Sequence, residues 1–483
     1  MNFLANFISH LCAYTIMIST ADLAVIAAYM VVVFLIGVIY RKSSSTYEYM
    51  VAGGRMGFLS SYSTFAATAI GAGFAMGIIG NVYRLGISGA WTLLAFGFGF
   101  AMIYLLMPRV RRLGEKYRFT TLPEMVGKRM GRGVRVLAGI VTVVGISGFI
   151  ADNFVGLGTI FKVYFGIDLW VGILVAAAIT AFYTVLGGQV AVIRTDMIQW
   201  AIAAFGIAFI VLPLALASAG GWEKIASTLP PDRLSLSSLS AYAIAGGLTS
   251  MVFGVQFQNH LVQRQWVAKD RKVLLRSAVL ANLTFFLWAA VCTVIGLAGA
   301  VAFPSLSSAQ SLLPLVVNEV VPAGLSGFVI AALLSIIMSS VDSFLIGVSS
   351  SLSKDIVGVA FPDMDDRRML QVTRLSALLL TLLAVGIAIL YPDILGLIVA
   401  FFSTIASGLG VPVLATLFWR RATPPGVAAG IMAGSIVALY LRLTASPFDP
   451  SLVGVPVSLA ATVLVSLATK PQPKPLIDEY FGK

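Results

Sequence analysis

Runs of about 20 apolar residues, long enough to carry an α-helix across a bilayer, recur along the whole of this chain. They can be laid near 20–40, 60–82, 88–108, 134–164, 169–186, 191–217, 240–258, 274–303, 324–351, 371–391, 394–419, 424–442 and 453–470. With no water at that depth, each run must satisfy its own backbone polar groups, and a helix does so. The reading is an all-α integral membrane protein of about thirteen transmembrane helices. Composition agrees, because 59% of the 483 residues are hydrophobic and only 11% charged, against about 25% charged in soluble chains.

Lys and Arg collect in cytoplasmic loops, and that bias sets the orientation. With the N-terminus outside and the C-terminus in the cytoplasm, only Arg84, Lys162, Lys224, Arg233 and Arg442 of the 32 Lys and Arg fall outside. The net charge of +12 is therefore read as positive-inside bias, which anionic lipid reinforces, and calls for no nucleic acid. Residues 1–19 are apolar but carry no basic n-region of a signal peptide. They are read as an external interfacial segment, with translation from Met17 as the alternative.

Several classes lack the residues they need. There are two histidines, His10 and His260, far apart in sequence, and the glutamates lie in loops or near span ends, so no acid/base cluster for an enzyme is visible. No GxxxxGK[ST] loop points to ATP. Arg-rich voltage-sensor helices and a TVGYG-type filter are missing as well. Cys12 and Cys292 stand alone in separate apolar segments, with no zinc spacing. No obligatory protein partner is evident.

What remains polar at depth is informative, since ionisable groups there are costly. In "AALLSIIMSSVDSFLIGVSSSLSKDI", Ser335, Ser339, Asp342, Ser343 and Ser350 share one helical face. Interhelical hydrogen bonding explains serines; a carboxylate among them points to function. Asp196 in "YTVLGGQVAVIRTDMIQW" is read either as a helix N-cap, as a partner of Arg194, or as a functional group. Asp152 and Asn153 in "GISGFIADNFVGLG" fit a substrate path, a proton site or a water-filled crevice. The stretch "STFAATAIGAGFAMGIIG", with Gly71, Gly73, Gly77 and Gly80, is either a close-packing surface or a helix that breaks in the bilayer and turns freed carbonyls toward a cation.

Six segments in order, "AGGR", this glycine-rich helix, "RRLGEKYRFTTLPE", "YTVLGGQVAVIRTDMIQ", "LVQRQWVAKD" and "IMSSVDS", resemble the sodium/solute symporter family over most of the chain, from Tyr49 to about Trp419. The resemblance implies two inverted five-helix repeats with a discontinuous first core helix. Residues 1–59 would then form an entry segment, first helix and loop, 60–217 and 240–419 the repeats, 420–470 two peripheral helices and 471–483 a cytoplasmic tail.

It also implies sodium-coupled import, in the cell membrane, of a small organic solute of the sugar, amino-acid or monocarboxylate class, with Na⁺ as coupling ion. By position, that ion would meet the carbonyls of Ala67, Ile70 and Ile336 and the hydroxyls of Ser339 and Ser340. Some members hold a second sodium, which here would recruit Asp196, Ser339, Asp342 and Ser343. Such members carry a hydroxyl where this chain has Asp342, so a second Na⁺, a proton and a salt bridge all stay open. Thr68, Gly71 and Phe74, with Gln256, Gln258 and Asn259 and the unassigned Asp152, are the candidate substrate contacts; His260 reads equally as packed or ligating. Gln263 and Arg264 read as part of an inner gate. The alternatives are a proton-coupled symporter on the same fold and, in a different class, a sodium-dependent sensor or channel.

Overall fold

A computed structural model describes residues 19–40, 45–444 and 446–482; the interfacial segment expected before residue 19 lies outside them. Among the described residues there is helix and no strand, and one isolated bridge joins Met56 to Ala268. The helices used below are α1 (Thr20–Ile39), α2 (Phe58–Ala69), α3 (Gly73–Ala101), α4 (Ile103–Tyr117), α5 (Leu122–Met130), α6 (Arg132–Phe165), α7 (Leu169–Ser218), α8 (Ala241–Phe257), α9 (Asn259–Val267), α10 (Arg271–Ala302), α11 (Ser326–Ser351), α12 (Asp366–Leu390), α13 (Ile394–Phe418), α14 (Pro424–Leu443), α15 (Pro450–Ala468) and α16 (Lys474–Phe481).

Nine of the described helices are long and apolar enough to span a bilayer, ten counting the bent pair α2 and α3, against about thirteen expected. The difference has three local causes. The run 60–82 is itself bent by 61° after Ala69, and it meets the run 88–108 at a turn at Gly86, where φ is +73°, so the two follow each other closely as one bent pair. The runs 169–186 and 191–217 abut within α7 as two helical segments that meet at Gly188, where the backbone leaves helical geometry (φ +64°, ψ −167°). A side chain at Gly188 would meet the Tyr49 ring at 2.5 Å, so glycine serves both the backbone angle and the close approach. The run 240–258 ends early, because α8 passes into a 3-10 turn at Val255–Phe257 and then an extended residue, Gln258.

The centre of the bundle is α11, whose membrane-length window is wholly buried, packed against α1, α2, α6, α7 and α12. An apolar stripe alone would not select this place, since lipid is as apolar as leucine; the hydroxyl-rich face needs protein partners. By contrast α12 leaves Leu375, Leu379 and Leu382 more than half exposed, as lipid-facing residues are. Helix α1 is tied to the start of α11 by the buried Asp22, which accepts hydrogen bonds from Gly327 N at 2.7 Å and Ser326 Oγ at 3.2 Å. Gly327 N is one of the backbone donors that the first turn of a helix leaves unsatisfied.

At one end of the bundle α5 packs beside the last turn of α13 and the short α16. Arg129 is 2% exposed and donates to the carbonyls of Thr416 at 2.6 Å, Arg420 at 2.9 Å and Trp419 at 3.0 Å. Burial lowers its pKa to about 10, which leaves it cationic at neutral pH, where it complements the negative end of α13. Arg129→Met is therefore expected to strand several carbonyls and cost about 3 kcal/mol, read as a lower thermal unfolding midpoint in detergent. An unchanged midpoint would show that water satisfies those carbonyls equally well.

Candidate ion and solute site

The break after α2 exposes backbone oxygen. Ile70 N still reaches Ala66 O at 3.3 Å, but Ile70 leaves helical geometry (φ −98°, ψ 83°). Two residues on, Ala72 N turns to Asn153 Oδ1 on α6 at 2.9 Å instead of to Thr68 O. Freed carbonyls at membrane depth need other partners, and α11 supplies them. Ser339 Oγ lies 3.1 Å from Ala67 O and 2.9 Å from Ile336 O. Ser340 Oγ lies 3.0 Å from Thr68 O, 3.3 Å from Ala67 O and 3.4 Å from Ile336 O. Each hydroxyl has one proton and more than one acceptor, so this cluster is rich in lone pairs.

These oxygens are neutral, and among the described residues no group of three or more His, Cys, Asp or Glu could hold a metal. A divalent ion usually takes carboxylate ligands; a set of carbonyls and hydroxyls suits a monovalent cation. Four of the five expected ion-site residues, Ala67, Ile336, Ser339 and Ser340, are thus within hydrogen-bonding reach of one another, and Ile70 forms the break itself.

The second-site candidates are divided rather than joined. Asp196 Oδ2 accepts from Thr64 Oγ1 at 2.5 Å and faces Arg264 Nη2 at 3.8 Å. Arg264 also donates to Thr64 O at 3.2 Å, to His260 O at 2.9 Å and to Ser343 Oγ. Asp342 turns to α7, where it accepts from Tyr183 Oη at 2.7 Å and Thr184 Oγ1 at 2.6 Å. Asp196 and Ser343 therefore share a guanidinium, while Asp342 lies in a separate hydroxyl pocket. The N-cap and Arg194 readings of Asp196 give way to this ion pair, as Asp196 sits inside α7.

Beside the break lies a narrow cavity with room, as it stands, for little more than one water molecule. Thr68, Gly71, Phe74, Asp152 and Gln258 line it, as expected, together with His260 and the rings of Phe149, Phe344 and Phe402. Gln256 and Asn259, expected with them, are not among its lining residues. Gln256 Nε2 donates to Phe100 O at 3.1 Å. Both ends of the Asn259 amide are used, Oδ1 by Leu122 N and Nδ2 by Gly347 O, each at 2.7 Å. Gln256 thus ties the end of α8 to α3, and Asn259 braces α9, as does Gln263, which donates to Thr120 O at 3.0 Å. Asn153 stood out as a polar residue at depth, but its anchoring bond to Ala72 N did not, and the Phe wall carried no distinctive signal, since phenylalanine occurs 30 times in this chain.

Gly71 joins the two sites. A Cβ there would stand 2.5 Å from Asn153 Oδ1 and 2.8 Å from Ser340 Oγ, so the ion cluster and the cavity wall meet with no room for a side chain.

Residues 49–434 match the family model described as sodium:solute symporter family. The chain belongs to that family. It is 27% identical over 436 residues to a sodium/proline symporter of Staphylococcus aureus, covering 86% of this chain and 84% of the relative. It is 25% identical over 456 residues to a high-affinity proline transporter of Bacillus subtilis (strain 168), covering 91% and 96%. Among solved structures it resembles a Na⁺-coupled sialic acid symporter in a substrate-bound outward-open state, with a TM-score of 0.82 at 20% identity, covering 94% of this chain and 98% of that one. That likeness shows the fold. This family member is a membrane-spanning, sodium-coupled solute importer and not an enzyme.

Proposed function

We propose that one Na⁺ binds among Ala67, Ile70, Ile336, Ser339 and Ser340, and that the solute it drives, a small polar organic molecule, binds in the adjoining cavity. The observation that carries this reading is the meeting of the freed carbonyls of Ala67 and Thr68 with the hydroxyls of Ser339 and Ser340. Thr68 and Gly71 belong to both places, which gives the ion a direct means of ordering the cavity wall. Ion binding would tie α2 to α11 and favour the state that accepts solute, and closure would follow by rocking one group of helices against the other.

In this reading the N-terminus is outside and the C-terminus cytoplasmic, in the cell membrane. Residues 60–217 and 240–419 are the two inverted repeats, and 420–470 are peripheral. One charge crossing ~100 mV releases ~2.3 kcal/mol, and a tenfold Na⁺ gradient adds ~1.4. One ion would then concentrate a neutral solute on the order of 500-fold.

The test is uptake by purified protein in liposomes, with an inward Na⁺ gradient and a panel of labelled sugars, amino acids and monocarboxylates. Accumulation of one class that collapses when the gradient is dissipated is the expected result. Uptake indifferent to Na⁺ but driven by a pH gradient would overturn the assignment of the ion.

A further inference from the structure

A groove of about 360 Å³ runs between α13 and α15, far from the break in α2. Val411, Ala415 and Trp419 line one wall, and Val455, Leu459 and Val463 the other. Phe253 of α8 packs with Val411 and Val455 at one end. Thr462 is the one lining residue with a hydroxyl, and its oxygen lies against Gly430 of α14. The floor is closed, since Val411 and Val455 are buried, whereas Leu459 at the rim is half exposed. Each wall covers eight residues, about 12 Å of helix, against a hydrocarbon core about 30 Å thick. The groove therefore lies within the share of one leaflet, and it follows the last turns of α13 to Trp419, a residue type enriched at membrane interfaces.

Charge gathers at the Trp419 end. Arg421, two residues on, donates through Nη2 to Leu467 O at 3.1 Å and Thr469 O at 2.8 Å, so it crosses from one wall helix to the end of the other. Its Nη1 has no hydrogen-bond partner among the described residues. Arg109 of α4 lies 4.5 Å from the Phe418 ring, and Arg109 and Arg420 share the Phe481 ring, at 4.9 and 5.1 Å. Arg112 donates to Phe481 O at 2.8 Å. Against these four guanidiniums, the ion pairs among the described residues set one carboxylate, Asp478, 3.3 Å from Arg420.

An apolar groove that ends in excess guanidinium charge is complementary to a molecule with the same two halves, a hydrocarbon chain and an anionic head. A second copy of this chain would fill the apolar half alone, and with a net charge of +12 it would add like charge at the other. We propose that the groove and the arginines at its end form a site for one anionic phospholipid, with an acyl chain along Val411, Ala415, Val455 and Leu459 and the phosphate at Arg420 and Arg421. In the orientation proposed above, this is the cytoplasmic leaflet, whose surface carries the anionic lipid. The site stands apart from the ion and solute positions, so it does not depend on which solute is carried.

The test uses the full chain, stripped of lipid in a non-ionic detergent and offered equimolar phosphatidylglycerol and phosphatidylcholine with the same acyl chains. Native mass spectrometry counts the lipid retained. The thermal unfolding midpoint follows in parallel, because a ligand bound by the folded chain alone raises its stability. One phosphatidylglycerol should be retained in preference to phosphatidylcholine by on the order of tenfold. Glycerol 3-phosphate, an anionic head without chains, should leave the midpoint where it was at the same concentration.

Arg421→Gln should reduce that preference about fivefold, the effect of one basic residue at an anionic surface, while phosphatidylcholine retention stays the same. Val455→Phe, which fills the groove, should lower retention of both lipids. The comparison of head groups on the unaltered protein decides the matter even where a variant does not fold. Equal retention of the two lipids overturns the inference. An equal midpoint shift with glycerol 3-phosphate overturns it too, as does a phosphatidylglycerol preference left intact in a folded Val455→Phe variant, because the arginines alone would then hold the anion. A dimer of the stripped protein in light scattering, lost in Val455→Phe, would give the groove to a second copy instead.

Discussion

Ser339→Ala is expected to raise the Na⁺ concentration for half-maximal uptake roughly 10- to 100-fold while leaving the protein folded. The hydroxyl stands 3.1 Å from Ala67 O and 2.9 Å from Ile336 O, between the broken helix and α11. An interaction with a charged partner contributes about 1.5–3 kcal/mol, which sets that range. Without the ion, little is lost: Ala67 O and Ile336 O both keep Ser340 Oγ nearby, at 3.3 and 3.4 Å. Alanine is also a good helix former. Ser339→Thr keeps the oxygen and should keep most of the affinity. Binding of radiolabelled Na⁺ to detergent-solubilised protein, with no solute present, separates ion affinity from transport. The same Na⁺ affinity in all three proteins would move the ion elsewhere.

The second large effect concerns folding. Arg264 is fully buried and serves four helices at once, through Thr64 on α2, Asp196 on α7, His260 O on α9 and Ser343 on α11. Arg264→Met removes the cation that faces Asp196 and leaves a carboxylate whose Oδ1 has no hydrogen-bond partner among the described residues. Breaking a buried pair from one side costs about 3–5 kcal/mol, so the single variant should unfold at markedly lower temperature. Adding Asp196→Asn removes the stranded charge and should recover much of the loss. This double-mutant cycle in thermal unfolding tests the pair itself. If the second substitution recovers nothing, Asp196 and Arg264 act independently despite their 3.8 Å separation.

Both predictions concern residues whose types stood out in the sequence and whose partners did not. Ser339 was visible because serines at helical spacing on one face of an apolar run need a reason. Ala67, 272 positions away, has no side chain that announces a role. Arg264 read as part of an inner gate, whereas its guanidinium reaches into the set once grouped as a second ion site. Asp342 was marked as functional by its charge, but only packing against α7 could assign it to Tyr183 and Thr184.

The division has a physical basis. Hydrophobic length, charge bias and helical periodicity are properties of a local stretch of chain, and they determined by themselves that this is an all-helical membrane protein with one polar inner helix, while the glycine-rich helix stayed open between close packing and a break. The family resemblance, carried by ordered motifs, added the ion-site residues. Tertiary structure decided where the expected spans turn and break, because the turn at Gly188 packs against Tyr49 and the break after Ala69 is held by Asn153, both far along the chain. It also decided which amides line the cavity and which brace it. Asn259 and Gln258 are adjacent and chemically alike, yet one spends its amide on Leu122 and Gly347 while the other leaves a donor free. Hydrogen-bond satisfaction is a property of the packed whole, and no local stretch of sequence contains it.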